Sequence, residues 1–69
     1  MILTGILTKV HVDRVNNRIG CAQVRVNRTD RQFYQVQFAL NPGETILTLR
    51  GAPCTFIPRP DGTAFLVSR

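Results

Sequence analysis

Arg25, Gln23, Gln35, Gln37 and Phe33 are the side chains of this chain best equipped for recognition chemistry. A guanidinium grips a phosphate or carboxylate with two parallel N–H donors, or lies flat on a ring. A glutamine amide both donates and accepts, so it meets the edge of a base without carrying charge. A phenyl ring offers a stacking surface worth about 1–3 kcal/mol per base. Around them stand Lys9 and His11, followed by Arg14, Arg18, Arg28 and Arg31 in turn-like stretches. The chain has nine basic and four acidic side chains, a net charge of +5, and lysine supplies only one of the nine. Residues 1–35 hold six basic and two acidic groups, against three and two over residues 36–69. Such an imbalance suits an anionic partner, nucleic acid first and acidic protein or lipid second.

Catalytic equipment is sparse by comparison. General acid–base work calls for paired carboxylates or a histidine with an orienting partner. Asp13, Asp30, Glu44 and Asp61 all fall in or beside turns, where they act as local caps or solvated charges. His11 and Asp13 share one side of a strand, which is the single arrangement able to orient an imidazole. Cys21 and Cys54 lie 33 positions apart, and with His11 alone they do not complete a zinc set. No serine elbow or phosphate-binding glycine loop is present, and neither a metal nor a cofactor is expected. An enzyme therefore ranks last among the readings.

These side chains need a scaffold, and 69 residues allow one domain with a small core. Hydrophobic residues at 43% and charged residues at 19% give a globular balance, not a disordered one. Apolar runs of three or four residues are too short to cross a membrane. With no cationic, apolar leader ahead of the first strand and two thiols free, a reducing, cytoplasmic setting is expected.

β-Branched and aromatic residues recur with period two between closely spaced turns, an all-β signature without a helical stripe. The pattern predicts strands over Ile2–Val12, Ile19–Asn27, Gln32–Ala39 and Thr45–Leu49. The fourth resumes at Cys54–Ile57 after Gly51-Ala52-Pro53, and the last strand is Thr63–Ser68. Gly5 marks a bulge or sharp coil in the first strand. Arg28-Thr29-Asp30-Arg31 closes a hairpin, Asn41-Pro42-Gly43-Glu44 forms a turn, and Pro58 to Gly62 is the strongest turn signal. Five or six short strands in so small a chain must curl into a strongly coiled barrel to cover their edges.

Alternation sorts each strand into two faces. Ala22, Val24 and Val26 oppose Gln23, Arg25 and Asn27. Tyr34, Val36 and Phe38 oppose Phe33, Gln35 and Gln37, and Val10 and Val12 oppose Lys9 and His11. Once the first three strands pair as a meander, the outside carries Lys9, His11, Gln23, Arg25, Phe33, Gln35 and Gln37. Apolar residues fall on both sides of the first strand, with Ile2, Ile6 and Val10 opposite Leu3 and Leu7.

The order of these features resembles the cold-shock type of nucleic-acid-binding domain. Met1 to Lys9, with its early glycine, is similar to that family's first strand. Arg18-Ile19-Gly20-Cys21-Ala22 and Tyr34-Gln35-Val36-Gln37-Phe38 fall where the family carries its two contact motifs, and Pro42-Gly43-Glu44 where it turns into the fourth strand. Ile19, Cys21 and Gln23 stand in place of the family's aromatic-rich motif. The resemblance implies an OB-like five-stranded barrel, with an SH3-like barrel as the alternative, and it implies contacts from Gln37 and Phe38. Alternation instead exposes Phe33 and buries Phe38.

The expected function is non-enzymatic binding of single-stranded DNA or RNA through the Arg/Gln/Phe face, with Arg14, Arg18, Arg28 and Arg31 on its rim. The alternative is a protein-interaction or homo-oligomeric assembly module that uses exposed strand edges or the surplus apolar residues of the first strand.

Overall fold

The computed structural model describes residues 1–26 and 32–69. It contains strands β1 (Leu3–Val12), β2 (Ile19–Arg25) and β3 (Phe33–Ala39), a one-turn helix α1 (Ile46–Leu49), and strands β4 (Pro53–Pro58) and β5 (Ala64–Ser68). The five strands form one sheet in the order β3-β2-β1-β4-β5, every adjacent pair antiparallel. The sheet curls until its two outer strands meet, and a parallel bridge joins Gln35 of β3 to Thr63 just ahead of β5. The result is the small, nearly closed barrel that strand number and length demanded. Among the described residues, no helix is long and apolar enough to cross a membrane.

The core fills the barrel with one layer of inward side chains: Leu7, Val10, Ala22, Val24, Val36, Phe38, Leu49, Cys54, Phe56 and Ala64. Leu7, Val24 and Phe56 have no exposed surface, and the Tyr34 ring tilts against Phe56 at 5.6 Å. Two glycines permit this density. A Cβ on Gly5 would strike the Arg25 carbonyl oxygen, and one on Gly20 would lie 2.7 Å from the Phe38 ring. Both thiols are free, and burial pushes that of Cys54 up, keeping it protonated and unreactive.

Gly5 therefore answers a close approach, and the irregularity of β1 lies further on. The β1–β2 register shifts between Thr8 and His11, where Lys9 takes a φ of +50°. The extra residue lets Leu7 and Val10, three positions apart, both point inward. The sequence expectation had set them on opposite faces. With the bulge in place, Leu7 is buried and Leu3 packs on the core, while Ile6 takes the outer side beside Arg25 and Ile2 is 61% exposed.

Two further expectations are corrected. The stretch from Thr45 to Leu49 is helical, not a strand. Thr45 and Thr48 cap each other reciprocally, at 3.3 Å and 3.1 Å, and satisfy two N–H groups at the start of the turn. Helical spacing then turns Ile46 and Leu49 toward the core and leaves Leu47 80% exposed, whereas strand alternation would have set Leu47 and Leu49 on one face and Ile46 on the other. Val26, expected inside, lies past the end of β2 and is 40% exposed.

Candidate functional site

Cross-strand register turns separate residues into rows. Arg25 stands between Ile6 and Phe33, Gln23 between Thr8 and Gln35, and Cys21 between His11 and Gln37. Their neighbours Leu7, Ala22, Val24 and Val36 point into the core, so all three rows lie on the outside of the barrel. At the first row the Arg25 guanidinium sits 5.9 Å from the centre of the Phe33 ring. Phe33 is 40% exposed and Phe38 only 8%, so the two rings face as alternation requires, and the Phe38 contact implied by the family resemblance points into the core.

The polar atoms of this face are not all occupied by the protein. Gln23 Oε1 and Arg25 Nε are shielded from solvent and have no hydrogen-bond partner among the described residues. The Gln23 carbonyl accepts from Thr8 Oγ1 at 3.1 Å, which ties β1 to β2 beneath the middle row. Gln35 and Gln37 are exposed.

Next to the rows runs a groove of about 1170 Å³. Lys9, His11, Gln23, Gln35 and Gln37 line it from one side. Arg25 and Phe33 continue the same face one row beyond. Arg14 lies exposed in the β1–β2 loop, away from the groove. Arg18 borders a separate hollow with Leu40 and Pro42. Arg28 and Arg31 lie outside the described residues.

Opposite walls come from residues the sequence reading had not placed: Arg59, in the turn before β5, and Phe65 and Arg69. Alternation alone gives Phe65 an outward direction, since Ala64 is buried and Leu66 packs on the core. Its position beside the glutamines requires the β3–β5 approach, which no local pattern encodes.

The charges around the groove are unequally engaged. Arg69 holds Glu44 Oε1 at 2.6 Å, donates to the Ala39 carbonyl at 2.6 Å and lies 4.9 Å over the Phe38 ring. Arg69 and the Asn41 N–H together keep the Glu44 carboxyl below its ordinary pKa. Asp61 is likewise held low by the Thr63 hydroxyl and N–H. Asp13 Oδ2 accepts the N–H groups of Val15 and Asn16, while His11 Nδ1 lies 3.3 Å from the Lys9 carbonyl. The two side chains that could have oriented one another thus turn to different partners. Glu44, Asp13 and Asp61 are all engaged locally, and Lys9 and Arg59 stay exposed at the groove, leaving its field positive.

Among the described residues, no cluster of three or more His, Cys, Asp or Glu side chains is placed to hold a metal. Comparison with known protein families, curated proteins and solved structures finds no match to this chain.

Proposed function

We propose that this protein binds single-stranded nucleic acid, DNA or RNA, on the outer face of β1–β3 and without acting on it chemically. The observation that carries this reading is the alignment of Arg25 with Phe33 at the head of a row of outward glutamines. A single strand presents what such a face takes: a phosphate for the guanidinium, a ring for Phe33 and base edges for the amides. A paired duplex hides its base faces, which leaves an exposed phenyl ring nothing to stack on. The architecture supports the same reading. A nearly closed barrel of five short strands is the kind of scaffold on which OB-type barrels carry ligands, on the strand 2–3 face and its flanking loops. Two free thiols fit a reducing, cytoplasmic setting.

Fluorescence anisotropy of labelled single-stranded DNA and RNA, titrated at several salt concentrations, tests the proposal. Affinity should fall steeply as salt rises, because each phosphate contact releases a counterion. No binding up to roughly 100 μM protein at low salt would refute it.

One observation favours a second reading, self-association. Ile57, Phe65 and Val67 are 37%, 52% and 45% exposed, with Ile57 directly paired to Phe65 across β4 and β5. This apolar surface differs from the strand-one surplus expected from sequence. Light scattering at micromolar concentration separates the two readings, a clean monomer counting against assembly.

A further inference from the structure

Resting on the nucleic-acid reading above, we infer that β5 belongs to the binding face and that Phe65 is a second stacking platform. A bound strand then runs from Phe33 across Gln35 and Gln37 onto β5.

The geometry starts from the β3–β5 approach. Gln35 is bridged to Thr63, and its N–H donates to the Gly62 carbonyl at 3.0 Å. Carrying that parallel register forward by two residues sets Phe65 level with Gln37, across the groove from it. Gln37 faces outward with Gln35, and Phe65 is 52% exposed between inward-facing Ala64 and Leu66. The groove confirms the continuity, since Gln37 and Phe65 both line it. Arg59 stands on the same wall and supplies a cation for the phosphate that follows a base stacked on Phe65. The glutamine row thus has an aromatic ring at each end, with Arg25 beside Phe33 and Arg59 on the groove wall that carries Phe65.

The separation of the rings sets the footprint. Four residues along β3 and at least one strand spacing across give about 14 Å or more between Phe33 and Phe65. That corresponds to about four stacked-nucleotide rises. A dinucleotide cannot reach both rings, whereas an octamer can.

The chain contains no tryptophan, so Phe33→Trp and Phe65→Trp each introduce a single reporter. The experiment titrates both variants with thymidine octamer and dinucleotide, following tryptophan emission. In parallel, labelled octamer is titrated with wild type and Phe65→Ala, whose folding is checked by circular dichroism. The inference expects the octamer to quench both reporters and Phe65→Ala to weaken octamer binding about fivefold or more. It also expects the dinucleotide to quench neither reporter in full at concentrations that saturate the octamer. If wild type binds the octamer and Phe33→Trp responds, while Phe65→Trp stays unquenched and Phe65→Ala binds normally, the inference is overturned and the β1–β3 face stands. If wild type binds no oligonucleotide, the face itself is refuted, and the extension with it. A wild-type dimer that Phe65→Ala dissolves, with Phe65→Trp indifferent to octamer, assigns the ring to a self-interface and overturns the inference too.

Discussion

Arg25 and Phe33 stand directly opposite each other on β2 and β3, yet their loss should be felt differently. Arg25→Ala removes a cation, so affinity falls and the salt dependence becomes shallower by about one phosphate contact. Phe33→Ala removes a stacking surface, costing about 1–3 kcal/mol with the salt slope nearly unchanged. Anisotropy titrations from low to moderate salt measure both quantities. Because both side chains lie on the outside, neither change should cost more than about 1 kcal/mol of stability. The outward direction of Phe33 was legible because Tyr34, Val36 and Phe38 claim the other face of the same strand. Val26 was misplaced for a related reason: alternation continues only as long as the strand, and β2 ends at Arg25.

The elements show where periodicity runs out. A four-residue helix spans barely one turn, too short to display a 3.6-residue repeat, and the threonines and isoleucine of Thr45–Leu49 favour a strand by type. The legible signal was the cap: two threonines three apart, each reaching the other's N–H. Thr45→Ala should therefore cost about 1 kcal/mol, read as a lower urea midpoint with unchanged slope. Leu47→Ala, a change on the exposed side of the same turn, should stay within about 0.5 kcal/mol. The bulge at Lys9 was also hidden, since neither lysine nor its neighbours mark a residue with positive φ. Its effect on packing could be seen only once Leu7 and Val10 were found on one side.

At the scale of the molecule, size makes the barrel sensitive. Phe56 is fully buried at the centre, and Phe56→Ala should cost about 3–5 kcal/mol, much of what a domain this small has to lose. Circular dichroism should show that variant largely unfolded or melting far below wild type. The Arg69–Glu44 pair gives stability a pH dependence. The folded protein holds the Glu44 carboxyl below its unfolded pKa, so the contribution is full above the ordinary carboxylate range. It is lost as pH falls through the folded value. Glu44→Gln should accordingly lower the urea midpoint at pH 7, by no more than about 1 kcal/mol for so accessible a pair. The gap from wild type should narrow below about pH 4. Strand number and closure were legible because short alternating strands must hide their edges. The pairing of the outermost strands was not, since Gln35 and Thr63 are 28 positions apart and neither carries a mark of the other.

That junction is also the line along which the barrel can breathe. Leu7 in β1 donates to Ala52 and accepts from Gly51 while its strand pairs with β2, so its amide should exchange with deuterium only when the whole chain unfolds. β3 and β5 are joined at Gln35 and, through a side chain, at Ala39. Amides facing the junction between those points need only a local opening, and should exchange orders of magnitude sooner. A ligand lying across both strands would close that opening, and its binding would be recorded there as slowed exchange.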